Sequence, residues 1–292
     1  VRLLRSEHVS GWLFVAPAFA VILLFGLIPI GWSFVMSFQH NDLVSPPHWV
    51  GVANYKALRH DPVFRQSIEH TIVYTVLFVP ISIAAALGVA VALNAKIRGI
   101  AFYRTAVFVP VAVSTVATAI IFNWLLDPTY GIVNWLLNEV GLPSQQFFQD
   151  PNQALYCIVA MTVWGWVGFD VIIFLAALQG IPQELLEAAE IDGASKFSSF
   201  RSVTLPLLGP ATLFLVVWST INALQLFDEI YNTTHGGPLM STTVVVYYLW
   251  QQAFQFFNGG YAAAIAYVLL AAILLITLGQ FLISRKTVFY SS

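Results

Sequence analysis

The chain has 292 residues, of which 59% are hydrophobic, 15% aromatic and only 9% charged. A soluble domain carries about 25% charged residues, so this chain lacks the charge to cover a water-facing surface and reads as an integral membrane protein. Its formal net charge of −2 offers no footprint for nucleic acid. The single cysteine, Cys157, excludes an internal disulfide or a cysteine metal cluster, and its simplest reading is a small buried apolar residue.

Arg2 and Arg5 precede an uncharged run from residue 9 to residue 41. The apolar region of a cleaved signal is only about 7–15 residues long, so this run is expected to be a retained spanning helix. A span needs about 20 predominantly apolar residues. Six segments meet that length, at roughly 12–36, 71–93, 106–126, 154–179, 211–227 and 261–283. The fifth can borrow apolar residues from 205–208. A further stretch, 244–257, is shorter and carries Gln251, Gln252 and Gln255, which suits an interfacial or re-entrant segment. The predicted fold is all-α, one membrane domain over residues 1–292, with no soluble second domain and no internal repeat. The expected loops carry turn-forming runs such as SPPHW, DPTYG, GLPS and HGGP.

Lys and Arg set the orientation. With the N-terminus inside, the inner segments hold Arg2, Arg5, Lys96, Arg98, Arg104, Lys196, Arg201, Arg285 and Lys286, while Lys56, Arg59 and Arg65 fall in the first outer loop. Both termini are then cytoplasmic, as is the loop of about residues 180–206 between spans four and five.

That loop concentrates Glu184, Glu187, Glu190, Asp192, Lys196 and Arg201 in a chain otherwise poor in charge. Pro182 suits a first helical turn, and QELLEAAEID after it is rich in helix formers whose early acids favour the helix dipole. Gly193 is placed to end such a helix in a left-handed conformation, and ASKFSSFRSV can begin a second short helix before Pro206. Ala188, Ala189, Ala194 and Ser195 are small enough for a partner backbone to approach. Leu186, Ile191, Phe197 and Phe200 supply apolar anchors, and an apolar patch rimmed by charge marks a protein interface.

Glu187-Ala188-Ala189, three residues, Gly193, nine residues and then Val203-x-Leu205-Pro206 resembles the EAA signature of inner-membrane permeases of ATP-binding-cassette importers, with Val203 in place of the usual Ile. GWLFVAPAFA near the start, ALQGIP before the loop, GGP after the fifth span and AFQFFNGGYAAAIAYVLL near the end are also similar to this family, in its maltose and glycerol-phosphate permease branch and as the first of two permease subunits. The resemblance implies that the loop forms paired short helices seated in a cleft of a cytoplasmic ATPase. Glu187 would make a polar contact there, Ala188 and Ala189 would permit close packing, and Gly193 would form the bend, with Asp192 and Ala194 beside it. It also implies a second permease, two ATPase subunits and an extracytoplasmic binding protein that delivers a sugar-like solute.

The chain has no G-x-x-x-x-G-K-[ST] phosphate loop. ATP and its magnesium are therefore expected on partner subunits, with no cofactor and no catalytic residue on this chain. The six histidines, at 8, 40, 48, 60, 70 and 235, lie outside the expected spans without a zinc-enzyme pattern, and no metal site is expected. An integral-membrane enzyme would lack a catalytic constellation.

For the solute path, Asp170 is the one acid well inside an expected span, where a carboxyl faces a cavity or a partner. Asn222 and Gln225 share one face of span five, and Ser114 and Thr118 lie at mid-depth in span three, with Asn123 further out. Trp164, Trp166 or Trp218 could offer a sugar ring an apolar face. Polar groups that only tie helices together are the competing reading. At the level of function the alternative is an ion-coupled secondary transporter, a class that often shows repeated halves and membrane-embedded ionisable pairs.

Overall fold

The computed structural model describes residues 7–42, 44–95 and 98–284, with side chains from residue 11. Arg2, Arg5, Lys96, Arg285 and Lys286, used above for orientation, lie outside the described residues, as does the side chain of His8. The described chain is mostly helical. It divides into two compact units, one of the residues up to 61 with 249–270, the other of 62–248 with those from 271 on.

In the first unit α1 (Glu7–Ile22) continues through a π-helical turn at Leu23–Leu27 into α2 (Ile28–Met36). Proline cannot donate to its preceding turn and its ring crowds the carbonyl four residues back. Just before Pro29 the helix widens, and the Ile28 N–H reaches the Leu23 carbonyl instead. A two-residue hairpin pairs Gln39 with Trp49 and His40 with His48, followed by α3 (Ala53–His60). The first turn of α15 (Gly259–Ser284) lies against this hairpin. The Gly260 N–H bonds the Asn41 carbonyl at 3.1 Å, and a Cβ on Gly260 would stand 2.0 Å from the Gln39 carbonyl oxygen, so only glycine permits this approach.

The second unit is built on α4 (Pro62–Leu93), α8 (Ala154–Gln179) and α12 (Gly209–Leu224). Their shared core holds Ala86, Ala90 and Leu93 from α4, Val171, Phe174 and Leu178 from α8, and Leu208 and Leu215. Both triplets recur at helical spacing. Lipid tails are as apolar as these side chains, so the association rests on close packing; the fully buried Ala86 and Ala90 allow it.

Among the described residues four helices are long and apolar enough to cross a membrane: Gly11–Met36, Pro62–Leu93, Ala154–Gln179 and Gly259–Ser284. The third and fifth expected spans are bent pairs rather than straight rods, giving up to six spans if each pair counts as one. The first pair, Ile100–Ala112 and Thr115–Leu125, meets at 101°. Here α5 (Ile100–Phe108) passes into a 3-10 turn containing Pro110, the chain extends at Val113 and Ser114, and α6 (Thr115–Leu125) restarts on the Ser114 hydroxyl, which accepts from the Ala117 N–H at 3.3 Å. Gly168 of α8 accommodates the bend. A Cβ there would lie 2.5 Å from the Val107 carbonyl oxygen and 2.8 Å from Val111 Cγ2.

The second pair, Lys196–Leu207 and Gly209–Leu224, meets at 64°. α10 (Lys196–Ser199) runs through a π turn at Phe200–Thr204 into α11 (Leu205–Leu207). Pro206 and Pro210 occupy first turns on either side of Leu208, where a missing N–H costs least. At both bends prolines sit at or beside the break, whereas Pro80 lies within the unbroken α4.

One expectation shifts. α4 begins at Pro62, nine residues before the expected span, so His70 lies within a helix long enough to cross and bonds the Thr243 carbonyl through Nδ1 at 3.0 Å. Residues 244–257 form α14 (Val245–Trp250) and a π turn at Gln251–Gln255, not a crossing helix, in keeping with their short length.

Candidate functional site: a polar cavity and an exposed helical loop

Within the second unit α4, α6, α8 and α12 line an open cavity of about 200 Å³, at which Asn222 and Gln225 are exposed. It brings together three expected path residues, Asp170, Asn222 and Gln225, with the expected aromatic faces Trp166 and Trp218. Thr118 lines a smaller adjoining cavity of about 50 Å³, which also touches Trp166. Ser114 lines neither, its hydroxyl being spent as the α6 cap. Trp164 lines neither and lies against Phe122 with ring centres 5.6 Å apart. Asn123 faces a separate cavity near Asn232, whose carbonyl its amide meets at 3.5 Å.

Asp170 is buried, and its Oδ2 accepts a 2.6 Å hydrogen bond from the buried Ser82 hydroxyl of α4. The carboxyl therefore ties α4 to α8 while also facing the cavity. The Asn222 amide donates to the Trp218 carbonyl at 2.8 Å one turn back, leaving its side-chain oxygen for other partners. α12 ends at Leu224, so Gln225 sits at the helix end rather than within the helix.

Sequence reasoning missed Glu229. After α12 the chain turns into α13 (Asp228–Asn232), which returns Glu229 to line both cavities. Trp166 lines both cavities with it. Burial pushes the Glu229 carboxyl above the ordinary carboxylate range, and the neighbouring Asp228 charge adds to the rise. The available signal was the adjacent acidic pair directly after an apolar span. No Lys or Arg lines the larger cavity. Its hydroxyls, amides, carboxyls and indole faces suit a neutral, hydroxyl-rich guest.

The loop begins with α9 (Gln183–Ile191). Pro182 sits one residue before the first turn, extended at ψ 129°, rather than within it. The far end closes as a Schellman motif: the Gly193 N–H bonds the Glu190 carbonyl at 3.0 Å and the Ala194 N–H bonds the Ala189 carbonyl at 2.9 Å. Gly193 has φ +79°, the left-handed value that the motif requires. The Ser195 hydroxyl then caps α10, accepting from the Ser198 N–H at 3.2 Å. Glu187, Ala188, Asp192 and Gly193 are exposed, and Ala189 and Ala194 are half-buried. Ile191 and Phe197 are 85% and 73% exposed, a large apolar display beside charge.

An open cavity lined by carboxyls, amides and indoles, set among helices of membrane-crossing length, fits a membrane-embedded transport component. The chain belongs to the family described as binding-protein-dependent transport system inner membrane component, whose profile matches residues 62–288. It is 38% identical to the lactose transport system permease protein LacF of Rhizobium radiobacter, over 97% of this chain and 96% of that one. To the trehalose/maltose transport system permease protein MalF of Thermococcus litoralis it is 34% identical, over 94% of this chain and 93% of that one. The structure is similar to a crystal structure of a bacterial ABC transporter involved in the import of the acidic polysaccharide alginate, with TM-score 0.85 and 25% identity over 98% of this chain and 99% of that chain.

Proposed function

We propose that this chain is a non-catalytic permease subunit of an ATP-binding-cassette importer for an uncharged sugar or related polyol. With a second, similar permease it forms the membrane path, fed by an extracytoplasmic binding protein and driven by two separate ATPase subunits that carry ATP and magnesium. Asp170, Asn222, Gln225 and Glu229 line that path, with Trp166 and Trp218 as apolar faces for a sugar ring and Thr118 beside them. Ser114 contributes by holding the bend through its cap. The observation that carries the reading is the cavity itself, where these side chains converge without a basic residue. An ion-coupled secondary transporter is not favoured, because the family is one of binding-protein-dependent systems.

The α9–α10 loop is the ATPase docking element, with Glu187, Ala188, Ala189, Asp192, Gly193 and Ala194 at the contact. Its exposed Ile191 and Phe197 support this reading, since nothing in a solvated loop rewards their exposure. Six spans then leave both termini and this loop on the cytoplasmic side. The test is co-expression with the second permease and the ATPase: the ATPase should co-purify with the chain, and its absence from the assembled permease pair would overturn the reading.

A further inference from the structure

A further cavity, of about 280 Å³, opens at the junction of the α4 end, α5 and α8. Leu93, Val107, Phe108, Val171 and Leu175 make its wall apolar, Phe108 and Ile172 are exposed, and it shares no lining residue with the central cavity. One charged side chain lines it, Arg104. Its Nη2 donates to the Leu93 carbonyl at 3.2 Å, while its Nε–H is buried and meets no acceptor among the described residues. No Asp or Glu lines this cavity. The only other polar side chain there, Thr105, gives its hydroxyl to the Ala101 carbonyl at 3.0 Å.

A guanidinium inside an apolar wall needs an anion, because an unpaired charge and an unmet donor are both costly away from water. The wall excludes a free inorganic anion as the full occupant, since that would leave the apolar surface wet. The missing ligand thus combines an anionic head with an apolar tail. We propose that the cavity holds an anionic phospholipid, its phosphate on Arg104 after a small turn of that long side chain and its acyl chain along Val107, Val171 and Leu175. Arginine suits the role, since its planar fork can hold two phosphate oxygens at once. The site lies where α4, a helix long enough to cross the bilayer, ends, and basic pockets between helices on the cytoplasmic side bind such headgroups. Placement in the cytoplasmic leaflet rests on the orientation proposed above; occupancy of the cavity does not.

The test uses the full chain purified from membranes, alone and with its partner subunits, after reconstitution in nanodiscs of phosphatidylcholine doped with phosphatidylglycerol. Lipid retained after detergent extraction is quantified by mass spectrometry. The wild type should retain phosphatidylglycerol several-fold over its share of the bilayer, Arg104→Gln should lose that excess, and Arg104→Lys should keep part of it. Ile172→Trp, which narrows the mouth without removing charge, should also lower retention and serves if Arg104→Gln does not fold. Equal retention in wild type, Arg104→Gln and Ile172→Trp would overturn the proposal. So would a cross-link from position 104 to a carboxylate of the second permease, which would make the anion a protein group. Because the chain alone can be assayed, a failure of subunit assembly reads separately from a failure of lipid retention.

Discussion

The Ser82 hydroxyl donates to the Asp170 carboxyl at 2.6 Å across 88 residues of sequence, joining α4 to α8 at the wall of the central cavity. Both side chains are buried. Hydrogen bonds to charged groups contribute about 1.5–3 kcal/mol, and an orphaned buried partner costs a similar amount. One carboxyl thus ties two helices while facing the cavity, and substitution separates this packing role from the proposed path role. Asp170→Asn keeps a side-chain oxygen for Ser82, so the transporter should assemble while uptake kinetics or solute preference change. Asp170→Leu should reduce membrane abundance as well. Uptake measured against abundance for both variants decides: unchanged uptake in assembled Asp170→Asn would remove Asp170 from the path.

Gly193 gives a sharper test of the loop. At φ +79° a residue with a Cβ is strained by roughly 1–2 kcal/mol, although no atom stands within 4 Å of where the Cβ would lie. The penalty is therefore conformational, not steric. Gly193→Val should weaken ATPase recovery by roughly tenfold while the chain inserts normally. Glu187→Ala should act more mildly, removing a contact without forcing a new shape. Full ATPase recovery and normal uptake in Gly193→Val would reduce the loop to a connector.

For Glu229 the sign follows from burial. Its folded-state pKa lies above the ordinary value of 4.5, so the folded chain holds the proton more tightly than the unfolded chain does. The stability this confers is complete below about 4.5 and is lost as pH climbs through the folded-state value. Glu229→Gln, which keeps the side chain's size but cannot ionise, removes that loss. Thermal unfolding in detergent should show the variant more stable than wild type at pH 8, with the gap closing as pH falls. A gap that widens at low pH would contradict the assignment.

Orientation is tested at Ser195, the exposed cap of α10. In a Cys157→Ser background, a cysteine introduced by Ser195→Cys should react with a membrane-impermeant thiol reagent only after the cells are opened. Labelling of intact cells would invert the topology.

How far the sequence carries depends on how local each feature is. Gly193 and its motif were legible because a left-handed helix end is decided by a few neighbouring residues. The six apolar segments were legible by length, but their bends were not, because apolar counts ignore what Pro110, Pro206 and Pro210 do to the backbone. Asn222 and Gln225 share a face in sequence, and both reach the cavity even though α12 stops before Gln225. The Ser82 partner of Asp170 needed the α4–α8 packing, which no short window encodes. Glu229 lies past the end of its apolar span, and only the turn into α13 returns it to the cavities that Trp166 lines.

The central claim is that this chain forms a solute path powered from outside itself. Uptake of radiolabelled disaccharide into proteoliposomes tests it most directly, comparing the chain alone with the chain plus the second permease, ATPase subunits, binding protein and ATP. The account predicts ATP-dependent uptake only in the complete assembly, none by the chain alone under a proton or sodium gradient, and loss of the signal when the binding protein is withheld. Gradient-driven uptake by the chain alone would contradict it.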